Sequence, residues 1–155
     1  MEKQNFYDLN FDQLKAFLVE CAEVEPGKAK MRSQQLFNAV YKKNIKSFDE
    51  ITTFGIELRN KIKNLISLDK PKIIDIQKSR DGTIKFLLEL QDKRNVETVL
   101  IPDKAQSRYT ICLSVSVGCY LSCEFCATAQ ISKKMVRNLS PGEIISQIIL
   151  CKDYI

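Results

Sequence analysis

A chain of 155 residues, 45% hydrophobic and 28% charged, has room for one or two small packed domains and lacks the composition of a disordered segment. No apolar run approaches the roughly 20 residues of a membrane span, and the polar start MEKQNFYDLN is unlike a signal peptide, so the sequence predicts a cytoplasmic protein with no membrane partner. A net charge of +5 suits a polyanionic partner without requiring one, and six cysteines with no secretory signal point to metal binding or thiol chemistry rather than disulfides.

Leu9, Phe11, Leu14, Phe17, Leu18 and Cys21 recur at three- and four-residue spacing and predict an amphipathic helix over residues 9–24, ended by Pro26-Gly27. A second helix is expected over residues 29–43, burying Met31, Leu36, Phe37, Val40 and Tyr41. Ser47 and Glu50 fit a capping box for a short third helix, and Ile56, Leu58, Ile62 and Leu65 mark a fourth, which closes a helical domain over residues 1–68. No acidic residue lies between Pro26 and Phe48, whereas Lys28, Lys30, Arg32, Lys42, Lys43 and Lys46 are basic. The run reads either as a solvated helix face or as a surface that follows RNA phosphates, which requires positive charge at the right pitch and no reading of bases.

Lys70-Pro71 is a break, after which the period becomes strand-like. Strands are expected over residues 73–77, 83–90 and 96–101, with turns at 79–82 and 91–95, giving an antiparallel β linker over residues 69–109. A further strand over residues 110–117 would place Cys112, Ser114 and Ser116 on one face and deliver the chain into a loop at Gly118. Ser140 as N-cap, Pro141 at the first helical position and Glu143 reaching back open a last helix whose apolar face is Ile144, Ile145, Ile148 and Ile149. Strand, loop and apolar-faced helix together read as the first βα unit of an α/β barrel, in which active-site loops follow the strand C-termini.

The loop carries Cys119, Cys123 and Cys126 as C-x3-C-x2-C. Three thiolates can hold three irons of a four-iron cluster and leave the fourth open to chelation by a substrate or cofactor. A structural zinc site is the alternative; in a chain with no histidine its fourth ligand falls to Cys112 or Cys151. A thioredoxin-like reading of Cys123 and Cys126 leaves Cys119 without a role. On residue type alone Cys112 is a buried strand thiol and Glu97 a solvent-facing carboxylate, while Cys21 and Cys151, at helical positions, read as core thiols.

The cysteine motif with Phe125 before its last cysteine resembles the radical S-adenosylmethionine (SAM) superfamily. The string Val96-Glu97-Thr98-Val99-Leu100-Ile101-Pro102, Cys112 seven residues before Cys119, Cys126-Ala127-Thr128-Ala129-Gln130, and Arg137-Asn138-Leu139 before a helix narrow the resemblance to the RNA adenine carbon-2 methyltransferases, across nearly the whole chain. It implies an α+β chain leading into α/β: a small helical N-terminal domain that contacts RNA, a short antiparallel meander, and over residues 110–155 the start of a radical SAM (β/α) barrel whose remaining units lie outside the chain. It further implies a 4Fe-4S cluster on Cys119, Cys123 and Cys126, SAM on its open iron, Glu97 as a proton acceptor, and Cys112 as the cysteine that deprotonates the adenine adduct and helps release product through a transient disulfide.

The implied partners are ribosomal RNA and tRNA, an electron donor such as flavodoxin or ferredoxin, and a separate chain supplying the rest of the barrel. The methyl-carrying cysteine and the Gly-Glu-Pro-type SAM motif are expected outside these residues, so the chain alone should not turn over. Two departures from the family pattern stand out. About two extra residues lie between Glu97 and Cys112, within residues 103–109, and residues 131–136 replace a Gln-Gly-aromatic segment. A zinc- or cluster-stabilised RNA-binding module, or the remnant of a degraded gene, are the competing readings.

Overall fold

The computed structural model describes residues 3–103, 105–121, 123–126, 128 and 136–155. It divides into two compact units, Met1–Asp69 and Lys70–Ile155. Among the described residues no helix is long and apolar enough to cross a membrane.

The first unit opens with β1 (Gln4–Asn5), which pairs in parallel with β2 (Ile66–Ser67), so the two ends of the unit are tied together. Helix α1 covers Phe11–Glu20, shorter than the apolar spacing predicted, because Asn10 and Gln13 form a capping box that fixes its start. Pro26-Gly27 does not terminate this helix; Pro26 is the first residue of α2 (Pro26–Phe37), where its missing N–H costs nothing and its fixed φ fits. The helix then widens into a turn over Asn38–Lys42, closed by Lys43 N–H to Asn38 O at 3.0 Å. The expected third helix is a single tight turn, Phe48–Glu50, with the Ser47–Glu50 capping box in place, and α3 covers Ile56–Leu65. Phe6, Leu14, Leu18, Leu36, Phe54, Ile62 and Ile66 form the fully buried centre of the unit. Met31 and Ile56, both expected inside, are 49% and 68% exposed, and Cys21 lies exposed just past α1 rather than in the core.

The second unit is a four-stranded antiparallel meander with one helix on it. Strands β3 (Lys72–Lys78), β4 (Ile84–Glu89), β5 (Asn95–Asp103) and β6 (Arg108–Cys112) pair in sequence order. Alternation along β5 sends Val96, Thr98 and Leu100 inward and Glu97 outward. The inward face, with Phe86, Leu88, Leu90, Val96 and Leu100, packs with Val117, Leu139 and Cys151 into one cluster, flanked by Ile144, Leu150 and Tyr154 of α4 (Pro141–Tyr154). The buried side of α4 includes Ser146, Gln147, Ile149 and Cys151, and Ile148 is 41% exposed, so the covered face is rotated from the expected isoleucine stripe.

The strand expected over residues 110–117 is broken. Its first part is β6, the fourth strand of the meander, and its second part is β7 (Ser116–Val117), which pairs antiparallel with β8 (Arg137–Asn138). The unbroken alternation of apolar and hydroxyl residues gave no sign of this, because Ser114 leaves the ladder to bond elsewhere. Cys112 therefore ends the last strand of the meander, and only Ser116–Val117 of the expected strand lies beyond the break. Among the described residues the strands pair antiparallel, apart from the short β1–β2 pair of the first unit.

Candidate functional site

One face of the meander is covered by α4 and the other is open, and the two proposed proton-handling residues are on the open one. Cys112 is opposite Val99 in the β5–β6 ladder, and Glu97 is two residues along β5 from Val99, so the two side chains share a face as diagonal neighbours. Such neighbours are about 7–8 Å apart, within reach of one substrate. Both are exposed. The Cys112 thiol is thus surface chemistry and not the buried packing that a strand cysteine usually represents. Glu97 Oε1 pairs with Lys85 Nζ at 2.9 Å from the neighbouring strand, where Lys85 is opposite Val99 in the same cross-strand row as Cys112.

The chain leaving Cys112 is held from two sides. Ser114 Oγ donates to Glu97 O at 2.6 Å, tying the exit of β6 to the backbone of the proposed proton acceptor. From beneath, Gln147 of α4 accepts from Ser114 N–H at 3.0 Å and donates to Ser114 O at 2.9 Å. Its carboxamide also accepts from Thr98 Oγ1 at 2.7 Å and donates to Glu143 O at 3.1 Å. Thr98 and Gln147 are both fully buried, and this network satisfies them. Sequence reasoning missed Gln147, because a glutamine among isoleucines reads as the wet side of a helix.

Gly118 then turns the chain with φ 66°, a conformation open to glycine at little cost, and the cysteine loop begins. Cys119, Cys123 and Cys126 are half-exposed thiols. Leu121 N–H points to Cys119 Sγ at 3.4 Å, and Cys126 N–H bonds Cys123 O at 3.1 Å, so Cys123 and Cys126 terminate one tight turn. Among the described residues no three Cys, Asp or Glu side chains already converge as a metal site, so binding would have to draw the three sulfurs together. The donor set itself, thiols alone in a chain without histidine, with an amide directed at one sulfur, has the chemistry that iron–sulfur clusters require. Tyr120, Leu121 and Phe125 are exposed, Phe125 by 93%. Of the segment that departs from the family pattern, residues 131–136, all but Val136 lie outside the described residues, as do Ala127, Ala129 and Gln130.

The far end of the loop is clamped. Arg137 on β8 donates to both carboxylate oxygens of Glu143, at 2.8 and 2.7 Å, and to Asp92 Oδ2 of the β4–β5 turn at 2.8 Å. Glu143 meanwhile accepts from Ser140 N–H and completes the α4 capping box. Its carboxyl is held below the usual range, chiefly by the bonds from Arg137 and against the effect of burial. Cys151, packed in the core, has its thiol pushed up to about 11 by burial and is unsuited to chemistry at neutral pH.

In the first unit the basic run divides. Lys28 pairs with Glu25 at 2.6 Å. Arg32 is absorbed into the fold, donating to Gln35 Oε1 and Thr53 O and stacking over the Phe54 ring at 5.2 Å. Lys30, Lys42 and Lys43 are exposed, and Lys46 lines a cavity of about 320 Å³ together with Lys3 and Lys63.

Residues 4–68 match the family described as ribosomal RNA large subunit methyltransferase N-terminal domain. Over 96% of its length the chain is 38% identical to 42% of the dual-specificity RNA methyltransferase RlmN of Campylobacter fetus. It is 36% identical to the RlmN of Syntrophus aciditrophicus over its full length, again 42% of that protein. A crystal structure of a radical SAM methyltransferase from Sphaerobacter thermophilus superposes on 97% of this chain with a TM-score of 0.80 and 30% identity, covering 42% of the larger chain. The chain thus spans about two-fifths of the length of the relatives it matches.

Proposed function

As the chain belongs to the RlmN family of dual-specificity RNA methyltransferases through an N-terminal portion of their sequence, we propose that it is the front part of a radical SAM enzyme that methylates carbon 2 of adenine in ribosomal RNA and tRNA. The observation that carries this reading is that Glu97 and Cys112 share the open sheet face, Cys112 on the strand from which the chain runs into a loop of three thiols. Cys119, Cys123 and Cys126 would hold a 4Fe-4S cluster, which when bound supplies the electron for reductive cleavage of SAM.

The chain's own residues do the rest of what falls to this portion. Removing a proton from a methylated adenine requires a base that a bulky nucleotide can reach, and Cys112 and Glu97 are both exposed at such a place. Lys85 pairs with the Glu97 carboxylate at 2.9 Å and holds it on the open face, in reach of the Cys112 row. In the first unit the exposed Lys30, Lys42 and Lys43 offer charge to RNA phosphates, whereas Arg32 serves the fold. Completion of the cycle falls to an electron donor and to the remaining barrel, on this chain's continuation or on a separate one, in the cytoplasm.

The test is anaerobic reconstitution with iron and sulfide. A brown, oxygen-sensitive protein is expected, with the cluster lost on alanine substitution of Cys119, Cys123 or Cys126 and kept in Cys112→Ala. Colourless protein carrying zinc, or full iron content after two of the three loop substitutions, overturns the reading. For the RNA surface, reversing the charge of Lys42 and Lys43 should weaken binding alike for unrelated RNAs and flatten its salt dependence. Unchanged binding at low salt would reduce the run to a solvated face.

A further inference from the structure

The break at residues 113–115 lies between the proposed proton-handling thiol and the proposed ligand loop; Leu139 N–H holds Val115 O at 2.9 Å, and one buried side chain holds both backbone groups of Ser114. Ser114 is off the β6 ladder, yet both its backbone groups are satisfied by the same carboxamide, that of Gln147. A buried amide that bonds both the N–H and the C=O of one residue imitates a β-ladder partner and fixes that residue's position and peptide orientation. The carboxamide is itself held, by Thr98 Oγ1 from β5 and by Glu143 O one helical turn earlier, so it has little freedom to follow Ser114 if the segment moves. Ser114 in turn binds Glu97 O.

We propose that Gln147 is a positioning residue, whose buried carboxamide sets the course of the chain from Cys112 to Gly118 and thereby the placement of the Cys112 thiol relative to Cys119. The assignment deepens the proposed function, since it matters to catalysis only if Cys112 and the loop act on one substrate. The placement itself is a property of this chain and is measurable without iron, SAM or RNA.

The test is a distance between nitroxide labels on Cys112 and Cys119 by pulsed electron paramagnetic resonance, in the full chain with Cys21, Cys123 and Cys126 replaced by serine and the buried Cys151 left in place. Two variants that each remove hydrogen bonds from the same buried network separate positioning from stability. Gln147→Met keeps the volume and releases Ser114; Thr98→Val keeps the volume and leaves both Ser114 bonds intact. Gln147→Met is expected to shift and broaden the distance distribution, at temperatures where circular dichroism shows the chain folded, while Thr98→Val leaves it unchanged.

If neither variant changes the distribution, or both broaden it equally, Gln147 is only core packing and the proposal fails. Should Gln147→Met not fold, Gln147→Glu carries the test: it keeps the acceptor for Ser114 N–H, and a distribution intermediate between the parent chain and a freely mobile loop is expected. A distribution identical to the parent's would overturn the proposal. Failure of cluster reconstitution would leave these distances untouched, so the two readings fail separately.

Discussion

The two faces of one four-stranded sheet differ in nearly everything but their backbone. The covered face holds Phe86, Leu88, Val96 and Leu100 against α4, with the buried Thr98 hydroxyl satisfied by Gln147. The open face holds the exposed Cys112 and the ion pair of Glu97 with Lys85. On the first, side chains act by contact and shape; on the second, by charge and reactivity. Because the two sets alternate along the same strands, stability and chemistry should separate residue by residue.

The strongest test of that separation is on the covered face. Phe86 is 2% exposed and meets Tyr154 edge-on at 5.0 Å between ring centroids. Phe86→Ala should cost about 3–5 kcal/mol through lost burial and the cavity left behind. Urea unfolding followed by labelling of buried Cys151 reads the second unit directly, since that thiol becomes accessible only when the core opens. A loss below about 1 kcal/mol would mean that the sheet and helix are not a cooperative core. Leu87, next in the chain but directed to the open face, should be nearly neutral as Leu87→Thr.

A middle-sized effect is expected where covered and open regions meet, at the Arg137 clamp. Glu143 is depressed chiefly by Arg137, and for Asp92 the opposing effect of burial is outweighed by bonds from Arg137 and Arg94. A carboxylate whose pKa is lower in the fold contributes stability that is complete above its unfolded value, about 4 to 4.5, and lost as pH falls through the folded one. The second unit should therefore weaken below about pH 4, and Arg137→Met should both flatten that dependence and cost about 1–2 kcal/mol at pH 7, a figure kept small by the partial exposure of all three groups. Equal acid sensitivity in the two proteins would place the acid-labile contacts elsewhere.

How much of this was legible in the sequence follows the same division between local and distant partners. The capping boxes at Ser47–Glu50 and Ser140–Glu143 are in place because each is closed within four residues, and the alternation of β5 was readable because one side is packed. The break after Cys112 was not readable: Thr110 to Val117 keeps a perfect strand period, and the group that bonds Ser114 past the end of β6 is a glutamine 33 residues further along the chain. Arg32 belonged by sequence to a basic run, yet its partners, Thr53 and the Phe54 ring, come from a distant turn. The three loop cysteines were legible as a motif; their spacing alone does not bring the sulfurs together.

The smallest effect tests the open face on its own terms. If Glu97 acts on Cys112 only as a charge at about 7–8 Å through water, the interaction amounts to about 0.5 kcal/mol, or roughly a twofold change in rate. Alkylation of Cys112 by anionic iodoacetate, divided by its alkylation by neutral iodoacetamide, reads this potential, because the thiolate fraction cancels in the ratio. Glu97→Gln should raise the ratio about twofold at low salt, Lys85→Gln should lower it, and the double variant should return near the parent, since the two charges are paired at 2.9 Å. Both single-variant differences should shrink above about 0.1 M salt, where the Debye length falls to about 10 Å and below. A Glu97→Gln effect that survives 1 M salt would mean that the carboxylate touches the thiol or reshapes its surroundings, and the open face would then work by contact as the covered face does.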